Sequence, residues 1–126
     1  MIGKILGLKL SRALFSNFFF IIGPLIKSTK IINNNINICK ESGINLDKEK
    51  ITKNMWKNYG MTFIEYIFLE YFKKNHSHII LKGEKVLSLI KNQKKPVIFV
   101  SGHFANFELM SMEISKNEIK LATIYR

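Results

Sequence analysis

A chain of 126 residues is one domain at most, and 47% apolar residues are enough to supply a core. The formal charge of +11 asks for an anionic partner, but 18 of the 20 basic residues are lysine in a chain also rich in isoleucine and asparagine; that bias points to an AT-rich genome and lowers the weight of the charge. No arginine-rich groove reader, zinc-ligand spacing or base-stacking motif is present, which sets nucleic acid aside in favour of an anionic membrane surface, and the single cysteine, Cys39, excludes an intramolecular disulfide and fits a reducing cytoplasm.

Residues 1–30 place Lys4, Lys9 and Arg12 among leucines and isoleucines and then run apolar from Ala13 to Ile26, broken by Asn17, Gly23 and Pro24. The run is short and interrupted for a span of about 20 residues, and no small-x-small cleavage site follows it. The expectation is a membrane-seated helix, with Phe15, Phe18, Phe19 and Phe20 in the lipid and Lys27 and Lys30 at the headgroups. The competing reading is a helix packed against the rest of the domain. Residues 1–30 and 31–126 are therefore divided into a membrane-associating helix and the start of a folded domain.

Ile31 to Ser42 is predicted helical and ends at Gly43, with Cys39 a partly buried structural thiol; Asp47 caps the next helix. From Lys48 to Phe72, Ile51, Met55, Tyr59, Phe63, Ile67 and Tyr71 repeat every fourth residue, with Trp56 and Ile64 beside them. This predicts one long amphipathic helix with that stripe in the core. Gly60 is its weak point, costing about 1 kcal/mol against alanine. His76 and His78, lacking a third ligand nearby, are expected to be solvated rather than metal-binding. Residues 83–92 read as a short helix with Val86, Leu87 and Ile90 inward.

Val97 to Val100 is a β-branched run that opens after Pro96 and closes on Ser101-Gly102, which reads as a buried strand entering a turn. A helix follows, with Asn106 placed to cap it and Glu108 at its positive end, and Ile119 to Tyr125 reads as a second strand. The fold class expected is α/β: N-terminal helices followed by one right-handed, parallel β-α-β unit. Two strands and one crossover leave a sheet face and both edges open, so the chain reads as the N-terminal portion of a larger α/β domain, truncated or encoded separately from its remainder. His103 and Glu108 are five residues apart, about 140° around a regular helix. They can meet only if His103 stands on the turn and Glu108 turns back from the helix, at the carboxyl end of a strand where open α/β sheets place their ligands.

The run His103-Phe104-Ala105-Asn106-Phe107-Glu108, followed by Tyr125-Arg126, resembles the H-x-x-x-x-E/D signature of glycerolipid and lipid A acyltransferases, above all the bacterial lipid A biosynthesis lauroyl/myristoyl acyltransferases. Tyr59-Gly60, Glu65 and Lys82-Gly83-Glu84 also match that family's pattern, so the similarity runs from about Ile31 to the last residue. Ala105 stands where the family usually has Gly and Phe107 where it has Trp; neither is expected to touch the His–Glu pair. The family itself continues well beyond the Tyr-Arg.

The resemblance implies an acyl carrier protein thioester as donor, a hydroxyl of a lipid A precursor as acceptor, and a place on the cytoplasmic face of the bacterial inner membrane. His103 would be the general base and Glu108 the group that fixes its tautomer, with Arg126 and Asn106 in substrate binding, and no metal or cofactor is called for. A separately encoded C-terminal half is the partner this arrangement invites. Two other readings stand beside it: a non-catalytic membrane-associated remnant of a split acyltransferase, and an anionic-surface binding module.

Overall fold

The computed structural model describes residues 2–26, 29–75 and 78–122, with side chains from residue 5 onward. Its elements are α1 (Ile2–Ile26), α2 (Thr29–Glu41), α3 (Lys48–Glu65), α4 (Leu69–Asn75), α5 (Glu84–Gln93) and α6 (Glu108–Lys116), with a single 3-10 turn, Tyr66–Phe68, between α3 and α4. The chain divides into two compact units, Met1–Ile67 and Phe68–Arg126.

The first unit is built on α1 against α3. A kink at Gly7, whose φ of +71° is a conformation that glycine tolerates and L side chains resist, precedes the main run of α1. That run stays helical through Gly23 and Pro24 to Ile26. The two helices pass each other in opposite directions: Arg12 meets Glu65, Phe15 stacks on Phe63 at 6.1 Å, Phe19 meets the same ring tilted at 5.4 Å, and Gly23 lies under the indole of Trp56. Two glycines make this approach close. A Cβ on Gly60 would overlap the backbone carbonyl of Phe15, and one on Gly23 would overlap the Trp56 ring. Gly60, a liability by helix propensity alone, is where the helices need the absence of a side chain.

The α2 helix ends as expected. Gly43 takes φ +82° and its N–H donates to the Lys40 carbonyl at 2.9 Å, while the Ile44 N–H donates to that of Cys39 at 3.2 Å, satisfying carbonyls that a helix end leaves open. Asp47 caps α3 by accepting the Lys50 N–H at 3.0 Å.

The stripe assigned to the core is displaced by one residue. Trp56, Gly60, Ile64, Phe68 and Phe72 are the buried row, whereas Tyr59, Phe63, Ile67 and Tyr71 are each close to half exposed. Both rows recur every fourth residue, about 100° apart around the helix, and periodicity counts apolar side chains without seeing that a glycine marks the closer approach. The expected single helix to Phe72 is also interrupted by the 3-10 turn.

In the second unit α4 contacts α6. Phe72 is fully buried, with the His78 ring stacked on it at 4.2 Å, so His78 is half-buried against an aromatic face and not a solvated residue; His76 lies outside the described residues. The α5 helix occupies the expected segment, burying Leu87 and half-burying Ile90, but Val86 faces solvent.

The β-α-β unit is not formed: among the described residues there is no strand, and the fold is helical. Residues 95–104 carry no helix or ladder, and Val97, Ile98 and Val100 are exposed, the last two at 89%. Residues 119–122 are likewise unpaired, and 123–126 lie outside the described residues. A β-branched run reports a side-chain surface suited to a sheet, but a strand exists only through its ladder, and two short parallel strands do not support one another in isolation. The helix expected between the two segments is present as α6.

Candidate functional site

The His103–Glu108 run forms the approach to α6. Gly102 closes a tight turn, its carbonyl accepting the Phe104 N–H at 2.9 Å. Ala105 then takes φ +45°, inside the left-handed region. The Ala105 position is thus one where glycine would be relaxed and an L side chain is strained, by about 1 kcal/mol or more.

Asn106 is buried, and its backbone carbonyl accepts the Leu109 N–H at 3.3 Å. The residue at the cap of α6 is Phe107, in helical conformation and without a side-chain cap bond, so Asn106 does not cap the helix as expected. Its amide is part of the buried floor of the turn.

His103 is exposed on the turn and Glu108 is half-buried as the first residue of α6, where a carboxylate complements the positive helix end. Glu108 opens a helix as expected, but no strand leads into the turn that carries His103, and no hydrogen bond or ion pair joins the two in this structure. The His103 ring instead meets the Phe107 ring edge-on at 4.3 Å and 61°. Phe107, expected not to touch the pair, is thus in contact with His103; the signal for it was its place four residues after His103, ahead of a helix. Arg126 and Tyr125 lie outside the described residues.

Two hollows occur in the same unit. An apolar groove of about 620 Å³ is lined by Ile79, Leu81, Val86, Phe99, Leu109 and Met110, among others. A charged cleft of about 890 Å³ carries Glu70, Lys73, Lys74, Glu84, Glu113 and Lys116. Neither is lined by His103 or Glu108. The Lys116 ammonium pairs with Glu113 at 2.7 Å, and both side chains are nearly buried. This i, i+3 pair sits one helical face away from the motif and escaped the sequence reading because a Glu–Lys pair on a helix ordinarily marks a solvated face. No group of three or more metal-ligating side chains comes together among the described residues.

The N-terminal helix bears on location. From Ile5 to Ile26 it holds 22 residues of mean hydropathy 1.5, long and apolar enough to cross a membrane by length and composition. Of the four phenylalanines expected in lipid, Phe15 and Phe19 are committed to Phe63, Phe20 lies beneath the Lys57 ammonium at 5.3 Å, and Phe18 is more than half exposed.

The family model for bacterial lipid A biosynthesis acyltransferase matches residues 1–126. The match takes in α1 as well as the region from Ile31 that carries the motif. No curated protein and no solved structure matches the chain. An exposed histidine on a turn, a glutamate opening the following helix, and a match along the whole sequence lead to one conclusion: the chain belongs to the bacterial lipid A biosynthesis acyltransferase family.

Proposed function

We propose that this protein takes part in transfer of a fatty acyl group from an acyl carrier protein thioester to a hydroxyl of a lipid A precursor, at the cytoplasmic face of the bacterial inner membrane. The observation that carries the reading is the family match together with His103 and Glu108 at the mouth of α6. His103 is the general base. A neutral imidazole nitrogen accepts the acceptor hydroxyl's proton as the oxygen attacks the thioester carbonyl, and the resulting imidazolium returns that proton to the departing sulfur. Glu108 fixes the imidazole and stabilises its cation once the ring turns from Phe107 toward the helix end. The motif contains no serine or cysteine, so direct transfer is simpler than an acyl-enzyme. Asn106 and Arg126 serve substrate binding, Asn106 by holding the turn and Arg126 as a cation for a phosphate or for the thioester oxygen.

Residues 1–30 supply the membrane association. The test is transfer of a labelled acyl group from acyl carrier protein to a lipid A precursor in vesicles, using the full chain. His103→Ala is expected to lower the rate by roughly 10²- to 10⁴-fold, and Glu108→Ala to lower it while leaving vesicle binding intact. A His103→Ala variant as active as the parent removes the catalytic assignment.

A further inference from the structure

The described N-terminal unit restricts how α1 can meet a bilayer. Its length and hydropathy satisfy a spanning helix. Its packing does not. Along Arg12 to Gly23, α1 is held side by side with α3 through the Phe15–Gly60 and Gly23–Trp56 approaches and the Arg12–Glu65 ion pair at 3.3 Å. The part of α3 beside Arg12 to Gly23 carries Lys57 and Asn58 as well as Glu65, and Asn58 is exposed and Lys57 half-exposed. If α1 crossed the bilayer with this seam intact, Lys57, Asn58 and the Arg12–Glu65 pair would be drawn into hydrocarbon, where each charge is strongly disfavoured.

The exposed side of α1 offers a different contact. Leu10, Leu14, Phe18, Ile21 and Leu25 follow one another at three- and four-residue intervals and are each about half exposed or more, which places them in one stripe along the helix. The stripe does not stop at α1: Phe18 touches Phe15 and Phe19, both of these touch Phe63 on α3, and Phe63 is itself more than half exposed. The apolar surface is thus shared by both helices. Around it, residues 1–67 hold ten Lys and Arg against four Asp and Glu, a charge that complements an anionic headgroup layer.

We propose that α1 lies in the plane of an anionic bilayer without crossing it, seated on the Leu10–Leu14–Phe18–Ile21–Leu25 stripe and Phe63, with the lysine-bearing side of α3 held in water. This rests on the membrane association proposed above and specifies its geometry. A helix with one lipid face and a polar partner on its back is stable at an interface, where apolar side chains enter the acyl boundary and cations stay among the phosphates.

The experiment uses the full chain carrying Cys39→Ser, with nitroxide labels introduced singly by Leu10→Cys, Phe18→Cys, Leu25→Cys and, on α3, Lys53→Cys. Vesicles contain phosphatidylglycerol mixed with phosphatidylcholine, and depth is read from relaxation by oxygen and by a water-soluble nickel complex. The expected result is a similar shallow depth at Leu10, Phe18 and Leu25, with Lys53 in water. A profile with Phe18 at the bilayer centre and shallow ends overturns the in-plane seat while leaving membrane association standing. Absence of binding of the unlabelled chain to these vesicles overturns both. As a label-free arm, polarised infrared absorption of the unmodified chain on oriented bilayers is expected to show α1 parallel to the surface, and a perpendicular axis contradicts the proposal. Leu14→Glu with Phe18→Glu is expected to reduce partitioning by roughly tenfold or more, with helicity retained; unchanged partitioning removes the stripe from the contact.

Discussion

Gly60 and Ala105 occupy opposite situations in the two units of this protein. Gly60 is a glycine in a helix interior, where propensity favours alanine, and it is retained at a point where α1 has no room for a Cβ. Ala105 is an alanine at φ +45°, where the backbone favours glycine. The first unit therefore sacrifices local preference to gain close packing between long helices. The second carries local strain at the turn that presents the motif, among helices of seven to ten residues too short to persist without tertiary support. Its extended stretches leave Ile80, Ile98, Val100 and Phe104 more than four-fifths exposed. Close helix packing and the motif thus lie in different parts of the chain, and the strained alanine stands inside the motif.

The largest test of that contrast is Gly60→Ala. Propensity alone would make the variant about 1 kcal/mol more stable. Overlap with the Phe15 carbonyl should instead force α1 and α3 apart and destabilise the first unit by about 3 kcal/mol, read from urea unfolding followed by circular dichroism. A stabilised variant would break the comparison. Next in size is Arg12→Met, which keeps the apolar stem and removes the cation beside the buried Glu65 carboxylate. Loss of about 2 kcal/mol is expected, reduced from the usual figure for a buried pair because Arg12 is one-third exposed.

For the second unit, Ala105→Gly should relieve the left-handed strain and stabilise the turn by about 1 kcal/mol, partly offset by the greater freedom of glycine in the unfolded chain. Slower amide exchange at Phe107 to Met110 would show it; faster exchange at those amides would mean that Ala105 is not strained. The smallest effect concerns the exposed Lys91–Glu118 pair, at 2.7 Å, between α5 and the end of α6. The hydrogen bond from Lys91, and then its charge, hold the Glu118 carboxyl below its ordinary value of 4.5. A depressed folded-state value means that the pair's contribution is complete above that ordinary value and disappears as pH falls through the lowered one. A carboxyl titration by NMR should show Lys91→Ala moving Glu118 upward, and no movement would remove the pair.

What could be read from the sequence follows the range of the forces involved. Helix ends set by nearest neighbours were legible: Gly43 closes α2, Asp47 opens α3, and Glu108 begins α6. The family was legible as well, because its motif is a short string with fixed spacing. Features that depend on a distant segment were not. The buried row of α3 was placed one residue off, since Gly60 carries no apolar signal and its role is set by Phe15, 45 positions earlier. The expected strands failed for the same reason, as Val97–Val100 needs a ladder that no described residue provides. In the motif, Glu108 at the start of a helix follows local signals, whereas the strand expected to lead into His103 is not formed. The contact between His103 and Phe107 was missed because it depends on the strained turn at Ala105.

The position of Trp56 has an optical consequence. It is the sole tryptophan, it is buried, and its indole lies over Gly23 at the seam between α1 and α3. Intrinsic fluorescence excited at the indole band will therefore report the closing and opening of that seam and will be nearly blind to the turn that carries His103. Emission and far-ultraviolet signals that fail to superimpose during unfolding would show that the two units unfold at different denaturant concentrations. A red shift on Gly23→Ala would mark the indole's expulsion into water.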